Sequence, residues 1–494
     1  MINLAQLIRA AARDNPSAPF GTFQQSDRLD TVVERAMVVV DALRRSGLQR
    51  GDIAAVIGTN CASYIVTWMA AQLIGVQTAL INPAYPDEFL AAMLDDIAPR
   101  AILWIARLPG HLTARPVTQI DTSRAWDGDI DILSAAERGR VATGSGEDCS
   151  ATEVAAYLHT SGTSGNPKFC ALSHGYFLRL GRYFADVMAF TRHDVVLNPL
   201  PLFHINPIGN GVVGALTGRS GFLSTEKFAA AEFWPMVKRH EVTALILHAP
   251  PVSLLKAKTT PEEARGHRVR IGFSCEPGFL RQFDVPLGVG GYGSTEAGGY
   301  CHSWKFRADD TDLPPEGALH LAGQPRHDVD WRLSADNEIL VREKAPLALF
   351  SGYAKAGMVT TALDEEGWFR TGDRGRIDET GNLVFIERMS ESIRVNAEYV
   401  PIDFVEDRLR RATSLQDFAL WRLPSESRGH EPVVYSASPD VDLEQVRTAV
   451  ADLPRYMHPT KIIRIAAIPR DAGVGKIQRR LLGDQAVLGV ESLS

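Results

Sequence analysis

Cysteine is scarce in this chain. There are five in 494 residues (Cys61, Cys149, Cys170, Cys275 and Cys301), none in a CxxC pair and none beside a histidine cluster. That excludes a disulfide framework and a thiolate-bound structural metal, and it fits a reduced, cytoplasmic protein. Excess positive charge is missing too. The formal net charge is -7 at pH 7, which argues against a general nucleic-acid binder. No low-complexity tract and no internal repeat occur. The N-terminal Met1–Arg9 lacks a basic segment followed by an apolar core, so it reads as an amphipathic helix and not a signal peptide. Charge is absent from Ile53 to Pro86, but Asn60, Ser63, Gln72, Gly75, Gln77 and Asn82 punctuate the run. A buried helix between buried strands is expected there, with no membrane association. Lysine is the last shortage, at ten of 52 basic residues. Two of the ten, Lys168 and Lys476, stand in glycine-rich loops.

The length exceeds one ordinary core, so at least two domains are expected. Short apolar runs alternate with helical patterns through the first three quarters: strands at 52–57 and 77–81 around a helix at 63–74, then strands at 195–200, 244–247 and 269–273. This alternation predicts an α/β fold of layered sheets and helices with mostly parallel strands. The texture changes near residue 383. A strand at 383–386, charged helices at 403–411 and 442–453, a strand-like run at 459–468 and a final glycine loop with a short helix predict a small α+β domain. The boundaries read as 1–387 for the large part and 388–494 for the small one, with the hinge near Glu387–Ser390.

Four segments carry chemistry. The first, Thr160-Ser161-Gly162-Thr163-Ser164-Gly165-Asn166-Pro167-Lys168, follows a short apolar strand. Its glycines let backbone N–H groups turn toward an anion, hydroxyls add donors, and lysine adds a mobile charge. It is a phosphate-gripping loop without the GxxxxGK[ST] spacing of NTPases. The second, Gly290–Glu296, sets an aromatic, hydroxyls and a carboxylate on a glycine-lined turn. The third, Trp368–Asp373, ends a turn in an aspartate. The fourth, Pro469–Ile477, presents Lys476 on a glycine loop. Taken singly, Tyr292 reads as core, Asp373 as a turn residue, Glu296 and Arg388 as a surface pair, and Lys476 as a solvated lysine.

In this order and at these separations the four segments resemble the superfamily of acyl- and aryl-CoA synthetases, peptide-synthetase adenylation domains and luciferases. Pro201–Asn206 with Phe233-Trp234 is most similar to stand-alone ligases of the carnitine/crotonobetaine-CoA kind. The resemblance implies a large N-terminal domain and a small C-terminal domain that rotates between steps about Ser390, with the active site between them. It implies an enzyme that uses ATP and Mg²⁺ to make an acyl-adenylate and passes the acyl group to coenzyme A. Thr160, Ser161, Gly162, Thr163, Ser164, Gly165 and Lys168 would hold the β- and γ-phosphates. Tyr292, with Gly293, would stack on adenine beside a wall that includes Glu276. Thr295 would touch the α-phosphate, and Glu296 would hold Mg²⁺. Asp373 would accept from the ribose hydroxyls, and Arg388 would follow the nucleotide. Lys476 would bridge carboxylate and α-phosphate oxygens. His204 would sit near the acyl carboxylate or gate the thiol tunnel, unless it is a buried structural histidine.

The acyl pocket falls around Ile205, Asn206, Gly209, Gly211, Val212, His248 and Ser274. Glycines that leave space among apolar neighbours predict a roomy pocket for a bulky hydrophobic carboxylic acid. No aspartate in 201–211 is available to pair with an α-amino group. Several positions depart from the family pattern: Phe169 and Glu387 where glycine is usual, Cys275-Glu276-Pro277 for Gly-Ala-Pro, Ser390 at the pivot, Ala397 for glycine and Phe404 for glutamate. The expected function is acyl-CoA ligation in a specialised pathway such as natural-product biosynthesis. Because Phe169 and Glu276 bear on ATP, one alternative is an enzyme that only thioesterifies preformed acyl-AMP supplied by an upstream adenylating partner. A carrier-protein-directed acyl-AMP ligase is another.

Overall fold

The uncharged run folds as a helix, Ala62–Ile74, between parallel strands Ile53–Ile57 and Gln77–Ile81. Every residue of that helix is buried, because it is covered on all sides and needs no polar face. Gly75 ends it in the left-handed conformation (φ 78°), where glycine carries no Cβ penalty. In the computed structural model, the described residues are all but 1, 86, 106–114, 116, 135–144, 161–167, 311–319, 390–392, 396–397, 401, 426–428, 439, 454, 472–474 and 494. Ser161, Gly162, Thr163, Ser164 and Gly165 of the phosphate loop, the pivot Ser390 and the departure Ala397 therefore lie outside them. Among the described residues no helix is long and apolar enough to cross a membrane.

The chain divides into two compact units. The first holds residues 1–313, 321–332 and 340–371. One of its sheets has nine strands, ordered Met358–Thr360, Gly352–Lys355, Lys168–Ser173, Val154–Thr160, Gln77–Ile81, Ile53–Ile57, Ala101–Trp104, Thr118–Asp121 and Asp131–Ser134. Its middle is parallel and its edges antiparallel. A second sheet runs in parallel from Pro19–Thr22 through Gly221–Ser224, Val195–Leu197, Ala244–Ile246, Ile271–Phe273 and Leu287–Tyr292. It then turns antiparallel into His302–Arg307 and Leu321–Pro325. Strand–helix alternation thus produced α/β layers, as expected. The N-terminal helix Leu4–Asp14 is amphipathic and capped by Asn3, whose side chain accepts from the Gln6 N–H.

The second, smaller unit holds 314–320, 333–339 and 372–494. Gly429–Ser436 is central to its sheet, pairing with Phe418–Ser425, Ile393–Val395 and Lys461–Ile465. Helices Ile402–Ala412 and Leu443–Val450 accompany it. Asp442 caps the latter by accepting from the Glu444 and Gln445 N–H groups. Val405, Leu409, Leu420, Trp421, Val434 and Val446 are among its core. The predicted closing helix is a single 3₁₀ segment, Arg479–Asp484, and an unforeseen edge strand, Val487–Ser492, follows it.

Candidate functional site

Val154–Thr160 and Lys168–Ser173 are antiparallel neighbours, and Thr160 lies opposite Lys168. These two residues fix the ends of the loop between them. The Thr160 hydroxyl donates to Glu296 Oε1 at 3.1 Å. The Tyr353 hydroxyl donates to the same oxygen, also at 3.1 Å. Lys168 Nζ stands 5.1 Å from the centre of the Tyr353 ring, a cation–π distance. Tyr353 arrives on the strand Gly352–Lys355, which pairs with Lys168–Ser173. Gly352 before it has φ 140°, and a Cβ there would meet Thr360 O at 2.4 Å. The Tyr176 hydroxyl, fully buried, donates to Thr295 O at 2.8 Å, and the Phe350 N–H donates to Glu296 O at 3.2 Å. Thr160, Lys168, Thr295 and Glu296 are thus brought together. Tyr353 and Tyr176, which support them, stand in no motif, and no sequence signal marks them. Burial, and then the Glu296 charge, push the nearby Cys170 thiol well up, so it is no nucleophile at neutral pH.

Phe169 faces the other way. Strand alternation turns it from Lys168 into the sheet core, where it belongs to the buried cluster that includes Leu90, Met93, Leu94 and Tyr157. It is a buried strand residue whose ring is part of the sheet core. Glu276 sits at the N-cap of Pro277–Phe283 and is ion-paired with Lys256. That neighbouring ammonium offsets the extra carboxylate. Lys256 lies twenty residues away in sequence, and no local pattern announces the pair.

Tyr292 ends its strand with the ring buried, cross-strand from His302. Gly293 lets the backbone pass closely: a Cβ there would lie 2.0 Å from Gly299 O. In the second unit, Asp373 lies opposite Arg388 on paired strands. The guanidinium donates to both its carboxylate oxygens, from Nε at 2.8 Å and from Nη2 at 3.2 Å. Glu387, unusual at the hinge, is buried and accepts from Arg374 Nη1 at 2.8 Å. Lys476 is exposed, beside the bridge between Arg470 and Ile477. Asp471 accepts from the N–H groups of Gly475 and Lys476, each at 3.2 Å. Just beyond, Arg479 donates to both oxygens of the buried Glu406 at 2.8 Å.

The candidate acyl region is polar at one end. Asn206 Nδ2 lies 2.9 Å from His248 Nε2 and 3.4 Å from the Tyr300 hydroxyl, and Asn206 Oδ1 accepts from Asn198 at 2.8 Å. Burial, then the neighbouring His204, pull His248 down to about 4. The rings of His204 and His159 are 5.9 Å apart. Burial also pushes the Tyr300 phenol up to about 12, opposed by hydrogen bonds with Asn206 and Ser274. Ser274 itself takes a left-handed φ of 54°. Ile205 opens the π-helical turn Asn206–Val213, which carries Gly209, Gly211 and Val212. Space at the two glycines is already taken: a Cβ on Gly209 would meet Leu180, and one on Gly211 would meet Phe222, each at 2.7 Å. These glycines serve close packing and do not leave room for a ligand.

Glu296 and the Thr160 hydroxyl offer two hard oxygen ligands, and among the described residues no cluster of three metal-ligating side chains occurs. One carboxylate completed by substrate phosphates suits Mg²⁺, which rarely needs an all-protein cage.

Layered, largely parallel sheets alternating with helices place the chain in the α/β class. The chain belongs to the AMP-binding enzyme family, whose pattern matches residues 29–346. It is 24% identical to 4-coumarate–CoA ligase 3 of Oryza sativa subsp. japonica, over 91% of this chain and 85% of that one. It is 23% identical to the crotonobetaine/carnitine–CoA ligase of Proteus mirabilis, over 77% and 78% of the two chains. In fold it is similar to o-succinylbenzoate CoA synthetase (MenE) of Bacillus subtilis, with a TM-score of 0.82, 20% identity and 99% of both chains covered. The chain is thus an enzyme of the AMP-binding family, and both of these curated relatives are CoA ligases.

Proposed function

We propose that this chain is an acyl-CoA ligase that joins a bulky hydrophobic carboxylic acid to coenzyme A through an acyl-adenylate, in a specialised pathway such as natural-product biosynthesis. The observation that carries this reading is the Glu296 carboxylate, bound by the Thr160 and Tyr353 hydroxyls beside Lys168 at the ends of the phosphate-loop strands. Its chemistry suits ATP. Lys168 would offset phosphate charge, the loop hydroxyls at 160–165 would donate hydrogen bonds to the phosphates, and Thr295 would contact the α-phosphate. Glu296 with Thr160 would hold Mg²⁺, which supplies further neutralisation of the phosphates. Tyr292 and Gly293 offer a flat apolar face for adenine. Asp373 and Arg388 serve the ribose side, and Lys476 serves the acid carboxylate as charge develops on the α-phosphate. His204 handles the acyl carboxylate or the incoming thiol. The apolar and aromatic side chains near Asn206 and His248, among them Ile205 and Tyr300, are in keeping with a hydrophobic acid. Residues 1–387 would bind nucleotide and acid, and 388–494 would move about Ser390 between the two half-reactions.

Phe169 and Glu276 are accommodated, which favours retention of both half-reactions. The experiment separates the halves with a panel of bulky hydrophobic acids. One arm supplies acid, ATP and Mg²⁺ and follows pyrophosphate. The other supplies synthetic acyl-AMP with coenzyme A and follows thioester by mass spectrometry. Activity in both arms is expected. Thioester from acyl-AMP alone would make the chain a thioesterifying enzyme that depends on an upstream adenylating partner. Acyl-AMP formation without thioester would point to a carrier protein as acceptor. Silence in both arms across the panel would overturn the ligase reading.

A further inference from the structure

Arg374 and Glu387 form a buried ion pair in the second unit, with Arg374 Nη1 donating to Glu387 Oε1 at 2.8 Å. Stability alone does not account for such a pair, because well-packed apolar side chains of similar volume often hold a core as well or better. The strand register does. Trp368–Ile377 and Leu383–Arg388 are antiparallel neighbours, in which Asp373 lies opposite Arg388 and Arg374 opposite Glu387, but Gly375 lies opposite Phe385. Ile386 is therefore the extra residue of a β-bulge. Without the bulge, the ladder from Gly375 and Phe385 would run on to place Arg374 opposite Ile386 and Asp373 opposite Glu387. Two carboxylates would then face each other, which is unfavourable. The observed register instead makes two pairs of opposite charge. The segment 336–338 braces the same point: the Gly372 N–H donates to Glu338 Oε1 at 2.8 Å, and Arg374 Nε donates to Asp336 O at 3.3 Å.

We propose that Arg374 and Glu387 are positioning residues that fix this bulge, and so keep the Asp373 carboxylate on Arg388 and aimed at the ribose hydroxyls of the nucleotide. The proposal rests on the acyl-CoA ligase reading, in which Asp373 serves the ribose. Successive strand residues point to opposite faces, so Arg374 and Glu387 act from the other face of the ribbon and do not touch the nucleotide. A shift of register by one residue takes Arg388 off Asp373, and the carboxylate loses the guanidinium that holds both its oxygens. Glu387 thus excludes the wrong register by charge as much as it supports the right one.

The test compares kcat/KM for pyrophosphate release with ATP and with 2′- and 3′-deoxy-ATP. The same comparison is made for thioester formation from acyl-AMP and its deoxy analogues. The wild-type enzyme is expected to favour the ribose form over at least one deoxy form by about tenfold or more. This ratio does not depend on how much of the enzyme is folded. Glu387→Gln still accepts from Arg374 but no longer repels Asp373, so the ratio should shrink several-fold. Exchanging the pair (Arg374→Glu with Glu387→Arg) keeps an ion pair in the observed register but makes the shifted one attractive, with Asp373 opposite arginine. There the ratio should approach one, whatever the denaturant midpoint. A wild-type ratio near one overturns the proposal, as does a ratio that Glu387→Gln leaves intact. An exchanged pair that restores both midpoint and ratio overturns it too, because the pair would then be structural only. Absence of both pyrophosphate from ATP and thioester from acyl-AMP across the acid panel is a different failure, because it removes the ligase reading itself.

Discussion

Glu296 places one carboxylate oxygen under two hydroxyl donors, and this makes its neighbours testable one atom at a time. Tyr353→Phe keeps the ring under Lys168 and removes one hydrogen bond, so ATP-dependent kcat/KM should fall by about 3- to 10-fold. Glu296→Gln removes the charge that would hold Mg²⁺, and pyrophosphate release should fall about 10²- to 10³-fold. Equal losses in the two variants would contradict a charge-based role for Glu296. Lys256 offers a second test. Its ammonium pairs with Glu276, and both side chains are about one-third exposed, so the pair adds little stability. Its consequence lies in binding: Lys256→Met should raise the KM for ATP several-fold at low salt, with the effect shrinking at high salt. A KM that does not move, or moves equally at all ionic strengths, would mean that Glu276 does not sense the nucleotide. Lys168, Glu296 and Asp373 were legible in the sequence because local glycine and hydroxyl patterns frame them. Tyr353, Tyr176 and Lys256 were not, because each matters only through a contact made by folding.

Arg326 shows how separate elements are fastened around the site. Its guanidinium is buried and donates to Asp328 Oδ1 at 2.5 Å, to Gly298 O at 2.9 Å, to Tyr300 O at 3.3 Å and to Ala348 O at 2.8 Å. One side chain thereby ties the end of the strand Leu321–Pro325 to the turn after Glu296 and to the segment before Tyr353. Removing one partner of a buried ion pair leaves an uncompensated charge, so Arg326→Met should destabilise the protein by about 3–5 kcal/mol. Adding Asp328→Leu should recover part of that loss. Denaturant midpoints of the single and double variants would check it, and a double variant no more stable than the single would refute the charge argument. Elements such as Ile53–Ile57, Ala62–Ile74 and Leu443–Val450 were readable from apolar runs and caps. The strand Val487–Ser492 was not, because exposed Val487, Leu488 and Val490 give no alternating pattern. The packing role of Gly209 and Gly211 was hidden for a related reason: a glycine that makes room for a ligand and one that makes room for Leu180 look the same in sequence.

At the scale of the whole molecule, buried histidines and the division into two units each set an observable. Burial holds His159 and His302 down to about 3, and His174 and His248 down to about 4. These rings are neutral when folded, whereas in the unfolded chain they take protons near pH 6.5. Between the two values the unfolded state binds more protons, so stability is complete above about pH 6.5 and is lost as the pH falls toward 4. The apparent melting temperature should drop from pH 7 to pH 4.5, and His174→Gln should flatten that slope; an unchanged slope would locate the sensitivity elsewhere. Lys476 gives the last expectation. It stands in the second unit, on a loop braced by Asp471 and by the Arg479–Glu406 pair, while Thr160, Lys168, Thr295 and Glu296 stand in the first. In the proposed role its charge acts while negative charge builds on the α-phosphate, and a preformed acyl-AMP has passed that point. Lys476→Ala should therefore abolish most pyrophosphate release, by about 10²-fold or more, and leave thioester formation from acyl-AMP nearly intact. Arg479→Met should weaken pyrophosphate release less, because it loosens the loop without removing the ammonium. If Lys476→Ala slowed both half-reactions equally, the proposed role of this lysine in adenylation would fall.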